Sequence, residues 1–248
     1  MSDSSSILAT IDVSVRFGRS TVLDGVSVSV ASGELVALIG PNGSGKTTLL
    51  RAILGLADLS SGSVTRPGDV AYLPQTPTHL PGQIVSDVLL SGRPSQRSPF
   101  GIETRRDHEI VAALAHELEL ETLLHRPMEK LSGGQRQRAF VGRALAAEPN
   151  VLLLDEPATF LDLRHQVELY QLLRKLSAER KLAVLMASHD LNLAAAHCDR
   201  IVVLSQGKVA ADGPPREVLR AQLLSDVYHV PLSRVEIDGQ VHIVPDLR

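Results

Sequence analysis

The chain has 248 residues, 44% of them apolar, and a formal net charge of -3. That length and composition supply a sizeable core, in one domain or in one large domain with an inserted lobe, and exclude a disordered chain. Both charge signs are mixed along the sequence with no basic stripe, which argues against a nucleic-acid partner. The single cysteine, Cys198, cannot form an internal disulfide. Its place after Ala194-Ala195-Ala196 points to a small buried packing role in a reducing compartment.

The start, Met1 to Ser6, has neither a basic stretch nor a long apolar one and reads as a short disordered leader, not an export signal. The next residues alternate, as in Val26-Ser27-Val28-Ser29-Val30, and Leu35-Val36-Ala37-Leu38-Ile39 follows as a continuous apolar run into a glycine-rich turn. That pattern predicts a buried strand feeding a loop. From Lys46 the positions of Thr48, Leu49, Leu50, Ile53 and Leu54 predict a helix stopped by Gly55. Between Gln75 and Leu131 the texture changes. Loops rich in proline, glycine and serine run from Ser91 to Gly101, and an alternating-charge helix follows from about 103 to 119, which together read as an inserted helical lobe. A second helix is expected from the Ser132-Gly133-Gly134 opening to about Ala147.

Two more apolar runs, Val151 to Leu154 and Leu182 to Met186, bracket a helix whose expected apolar stripe is Leu163, Val167, Tyr170, Leu173 and Leu176. Strands alternating with helices predict a parallel sheet covered on both faces. The longest apolar run, Leu182 to Ala187, is far below the ~20 residues of a membrane helix, so membrane work is expected to pass through a partner. The tail has short β runs at Ile201 to Leu204 and Val235 to Ile237, with Asp238-Gly239 as a hairpin turn before Val241 to Val244.

The loop Gly40-Pro41-Asn42-Gly43-Ser44-Gly45-Lys46-Thr47 fits G-x-x-x-x-G-K-[ST] between a strand and a helix, the context a phosphate-binding loop requires. Its glycines let successive N–H groups point inward at phosphate oxygens, and the helix beginning near Lys46 adds its positive end; Thr48 follows in the same turn. Lys46 is expected to neutralise the β and γ phosphates, and Thr47 to occupy one position on Mg²⁺. The strand Val151 to Leu154 ends in Asp155, the second candidate Mg²⁺ anchor, and Glu156 is the candidate base for the attacking water. Alone, Asp155-Glu156-Pro157 also reads as a solvated strand exit. None of the nine histidines has a zinc-type spacing, so no protein-held transition metal is assigned.

With Leu131-Ser132-Gly133-Gly134-Gln135 ahead of Asp155-Glu156 and Ser188-His189-Asp190 behind, the chain resembles the ATP-binding subunit of ABC transporters over essentially its whole length. The resemblance implies an α/β P-loop NTPase fold: a RecA-like parallel sheet core with an antiparallel β subdomain and an inserted helical subdomain. It divides a single nucleotide-binding domain, 1–248, into a core at 1–75 and 150–248 and a helical signature subdomain at about 76–149. It further implies Mg-ATP hydrolysis in a head-to-tail dimer, in which Ser132, Gly133, Gly134 and Gln135 of one copy close over the phosphate loop of another. In the family pattern Phe17 stacks on adenine, Gln75 reaches Mg²⁺ and links the lobe to hydrolysis, His189 contacts the γ-phosphate, and Asp162 couples the two sites. On its own, Phe17 also reads as a core residue, Gln75 as a polar loop residue and Ser132 as an ordinary helix cap. The sequence departs from the pattern at Ala158-Thr159-Phe160, which bears on communication between the two sites.

Within the family, Leu161-Asp162-Leu163-Arg164-His165-Gln166, the stretch Ser188 to Ala195 and Gly213-Pro214-Pro215-Arg216-Glu217-Val218-Leu219 resemble the ATPases of iron-siderophore, haem and cobalamin importers. The implied partners are integral membrane permease subunits and, indirectly, a substrate-binding protein, and the implied location is the cytoplasmic face of the cell membrane. Zinc or manganese importer ATPases, a soluble ABC-type switch and a P-loop kinase are the competing readings. The signature at 131–135 weighs against the kinase.

Overall fold

The computed structural model describes residues 6–93 and 103–246, so nearly all of the leader and most of the Ser91 to Gly101 loop lie outside the described residues. In chain order the elements are β1 (Ser6–Phe17), β2 (Ser20–Ala31), β3 (Leu35–Ile39), α1 (Lys46–Leu54), β4 (Ser61–Thr65), β5 (Val70–Leu73), α2 (Val85–Leu90), α3 (Arg105–Glu117), α4 (Gly133–Ala146), β6 (Val151–Asp155) and α5 (Leu163–Arg180). They continue as β7 (Ala183–Ser188), α6 (Leu191–His197), β8 (Arg200–Ser205), β9 (Lys208–Gly213), α7 (Pro215–Val218), α8 (Ala221–Tyr228), β10 (Leu232–Ile237) and β11 (Gln240–Pro245).

The central sheet has the order β5-β6-β7-β3-β8-β9, parallel except for β9. Strands β3, β6 and β7 are buried along their whole lengths, as their continuous apolar runs require of a sheet covered on both faces. Successive side chains alternate between two cores. Leu35, Ala37 and Ile39 face one shared with α5 and the helical lobe, while Val36 and Leu38 face α1 and the antiparallel sheet β2-β1-β4. Register decides where chemistry can happen. Ile39 pairs with Ser188 and Asp155 with Ala187, so β3, β6 and β7 finish together at one carboxyl edge, the usual ligand edge of such sheets.

Helices α2, α3 and α4 form the expected lobe. The buried Arg93 stitches it, donating from Nε to Asp107 Oδ1 at 2.7 Å and from Nη1 to Glu148 Oε2 at 2.9 Å. That guanidinium, with the Thr104 donors, holds the Asp107 carboxyl well below the usual carboxylate range. The tail hairpin turns through Asp238 and Gly239, both in the left-handed region (φ 50° and 76°), the type I′ geometry that a two-residue turn favours.

One expectation is corrected. Leu163 is 70% exposed and Val167 half-buried, and the buried stripe of α5 is Leu169, Tyr170, Leu173 and Leu176. An 18-residue helix is about 27 Å long, more than its neighbouring strands of five or six residues can cover, so its first turn overhangs the sheet. Among the described residues, no helix is long and apolar enough to cross a membrane.

Candidate functional site

The loop after β3 curls through three glycines with positive φ and enters α1 with Gly45 as N-cap (φ 106°) and no side-chain cap. The first N–H groups of α1 are therefore left to whatever sits at its positive end. A Cβ at position 45 would stand 2.6 Å from Leu23 Cδ2, so the loop closes only around glycine. The Ser44 hydroxyl is buried without a protein partner, a donor of the kind a phosphate oxygen satisfies. Lys46 is buried, its Nζ donating to the carbonyls of Gly40 (2.8 Å) and Pro41 (3.3 Å) and lying 3.6 Å from Glu156 Oε1.

Strand β6 delivers Asp155 beneath this loop. Thr47 Oγ1 donates to its Oδ1 at 3.1 Å and the Tyr72 hydroxyl to its Oδ2 at 3.3 Å. Burial pushes the Asp155 carboxyl up, against the pull of these two hydrogen bonds. A hydroxyl beside a carboxylate is a hard oxygen set that fits Mg²⁺. Among the described residues no group of three or more His, Cys, Asp or Glu side chains could hold a metal, so further ligands would come from phosphates and water, as is usual for this ion.

Glu156 adopts the left-handed conformation (φ 48°), which is uncommon for a residue with a side chain and recurs at functional sites. Its N–H donates to Ala187 O at 3.1 Å, tying it to the end of β7. Its Oε2 accepts from Gln75 Nε2 (2.9 Å) and Thr159 Oγ1 (3.3 Å), with His189 Nδ1 at 3.8 Å. His189 leaves β7 between Ser188, whose Oγ accepts the Asp190 N–H at 3.1 Å, and Asp190, whose carboxylate caps α6.

A cavity of about 640 Å³ opens on this edge, lined by Asn42 to Thr48, Gln75, Glu156 and His189 together with Val22 and Thr159. Other expected site residues lie elsewhere. Gly40 and Pro41 turn their carbonyls to Lys46, and Asp155 sits behind Thr47. Phe17 is 58% exposed at the end of β1 and off the lining, which sets aside its reading as a core residue. Ser132 and Gln135 cap α4 reciprocally, Ser132 N–H to Gln135 Oε1 at 3.1 Å and Gln135 N–H to Ser132 Oγ at 3.2 Å. Beside them, a Cβ on Gly134 would overlap the His165 ring, and Asp162 caps α5 by accepting from His165 N (2.9 Å) and Nδ1 (2.7 Å). None of the signature residues lines the cavity. Sequence reasoning assigned no role to Tyr72 or Thr159. Their only signals were a tyrosine three residues before Gln75 and a hydroxyl three residues after Glu156.

The profile of the family described as ABC transporter matches residues 23–159. The chain is similar to the petrobactin import ATP-binding protein FpuC of Bacillus anthracis, 38% identical over 84% of this chain and 81% of that one. It is likewise 38% identical to the hemin import ATP-binding protein HmuV of Rhodopseudomonas palustris, over 92% of this chain and 90% of the relative. Among solved structures it resembles a metal-chelate type ABC transporter in an inward-facing conformation, with a TM-score of 0.90, 26% identity and 98% of each chain covered.

Proposed function

This chain belongs to the ATP-binding proteins of the ABC transporter family, and from that premise we propose that it hydrolyses ATP at the β3–α1 loop to power uptake of an iron-siderophore, haem or cobalamin-type substrate through a separate membrane permease. The observation that carries the reading is the convergence of Lys46, Glu156, Gln75 and His189 on one cavity at an uncapped helix N-terminus. The cargo class is supported by the import roles named for the petrobactin and hemin relatives and by the metal-chelate type of the structural neighbour. A zinc or manganese importer is the runner-up.

In the proposed mechanism the loop N–H groups and Lys46 hold the β and γ phosphates, with Phe17 against the adenine. Thr47 and Asp155, with Gln75 at the edge, would hold Mg²⁺, which when bound neutralises charge on the phosphate oxygens. Glu156 orients water in line with the γ-phosphorus and takes its proton as the new P–O bond forms. The bond to the bridging oxygen breaks, ADP leaves with the electron pair, and His189 steadies the γ-phosphate. Ser132 to Gln135 of a second copy close the open side of the cavity in a head-to-tail dimer, with Asp162 coupling the two sites, so activity rises with dimerisation. Residues 76–149 and Gln75 pass the motion to permease subunits served by a substrate-binding protein, with this subunit peripheral on the cytoplasmic face.

Replacing Glu156 by Gln is expected to lower turnover at least ~100-fold while ATP still binds and a closed dimer accumulates on a sizing column. Wild-type turnover in that variant would remove Glu156 from the base role. Co-purification of the permease and binding protein from membranes, followed by uptake assays with iron chelates, haem, cobalamin, zinc and manganese, names the cargo.

A further inference from the structure

The segment after Glu156 reads Pro157-Ala158-Thr159-Phe160-Leu161, and within it Thr159 is the only side chain able to donate a hydrogen bond. The turn is held from several sides. Thr159 N–H donates to Glu156 O at 3.3 Å, Leu161 N–H to Ala158 O at 3.1 Å, and Gln166 Nε2 from α5 to the same Ala158 carbonyl at 3.2 Å. So held, the turn brings the Thr159 hydroxyl onto the cavity lining with its donor bond on Glu156 Oε2.

We propose that Thr159 is a positioning residue for the Glu156 carboxylate, fixing Oε2 so that Oε1 stays turned toward the attacking water. The inference rests on the reading of Glu156 as the base. The need for such a donor follows from Lys46, the cation 3.6 Å from Oε1. A γ-phosphate that draws Lys46 toward itself weakens the attraction holding Glu156. The direct hydrogen bonds then left to the carboxylate are those from Gln75 and Thr159, both on Oε2. Gln75 stands on the separate loop after β5, whereas Thr159 lies on the same turn as Glu156 and is tied to it through Thr159 N–H to Glu156 O. Thr159 thus holds the base through the step in which Lys46 serves the phosphate. At a residue whose backbone already sits in an uncommon conformation, a fixed donor also spares the carboxylate the entropy of searching for its orientation.

The test compares Thr159→Val, which keeps the shape and deletes the hydroxyl, with Thr159→Ser, which keeps the hydroxyl. Turnover is measured at saturating Mg-ATP, and affinity is measured with a fluorescent ATP analogue in each variant. Thr159→Val is expected to lose about fivefold to tenfold in kcat with affinity within about twofold of wild type, and Thr159→Ser to recover at least about half of the rate. In a Glu156→Gln background Thr159→Val should cost nothing further, because the group it positions is gone. Wild-type kcat in Thr159→Val, equal loss in Thr159→Ser, or a fall in affinity as large as the fall in kcat would each overturn the positioning role. A Glu156→Gln variant with wild-type turnover overturns the underlying base assignment instead, so the two failures are told apart.

Discussion

Two helix beginnings in this molecule use glycine, and they end up as opposites. At α1 the N-cap is Gly45, no side chain satisfies the first turn, and the open N–H groups face the cavity. At α4 the Ser132 and Gln135 side chains satisfy each other's backbone N–H groups, and Gly134 is buried against His165 of α5. The first opens its N–H groups onto a cavity of its own chain. The second has two of its N–H groups closed by its own side chains, and in the proposed head-to-tail dimer it meets a phosphate only when another copy presents its cavity.

The largest effects separate these two ends. Lys46→Ala is expected to abolish both ATP binding and turnover, whereas Ser132→Ala should leave ATP binding to the isolated chain intact, lower turnover more than tenfold, and cost about 1 kcal/mol of stability through the lost cap. Equilibrium nucleotide titration, ATPase rates and thermal melts read the three quantities. Mixing a Lys46→Ala copy with a Gly133→Asp copy, where an added Cβ meets nothing closer than 3.5 Å, sharpens the contrast, because one of the two composite sites in the proposed mixed dimer is intact. Recovery of activity in the mixture, from two inactive parents, is the expected result. If the mixture stays inactive, the signature does not act across the dimer.

The same contrast explains what the sequence made legible. The α1 end is encoded contiguously, as an apolar strand, a glycine loop and a lysine, and β6 and β7 are continuous apolar runs that carry Asp155 and, just past Ser188, His189 to the same edge. Local pattern is enough there because parallel pairing lines up the strand ends. The contacts of Tyr72 with Asp155 and of Thr159 with Glu156 were not legible because they depend on side-chain reach across the sheet edge or a turn, and no periodicity reports that. Leu163 misled in the opposite sense: it fits the helical stripe of α5, but periodicity says nothing about how far a helix overhangs its sheet.

A middle-sized effect tests how well the α1 end is braced. Tyr72 donates to the oxygen of Asp155 that Thr47 does not use, and burial with the neighbouring Asp155 charge keeps its phenol protonated by raising its pKa. Tyr72→Phe frees that oxygen to rotate and is expected to raise the Mg²⁺ concentration for half-maximal turnover by about twofold to fivefold. Weaker Mn²⁺ binding to the nucleotide complex, followed by paramagnetic resonance, reads the same loss without relying on turnover. Unchanged binding of Mn²⁺ would mean that Thr47 alone suffices to orient Asp155.

The smallest effect concerns the seam that carries the α4 end. The helical lobe meets α5 through Arg138 with Glu168 and Arg180 with Glu117, ion pairs whose side chains are partly exposed. Pairs of that kind contribute about 0–1 kcal/mol, because water screens the attraction and two long side chains lose freedom. Arg180→Ala is therefore expected to lower the melting temperature by no more than about 3 °C. About 0.5 M salt should erase most of the difference by shortening the screening length. Nucleotide affinity at the α1 end should not change. A larger drop that survives salt would mean that apolar packing of the Arg180 stem, not its charge, holds the lobe to α5. The α4 surface would then depend on buried contact as much as the α1 site does, and the contrast between the two helix beginnings would narrow to their capping alone.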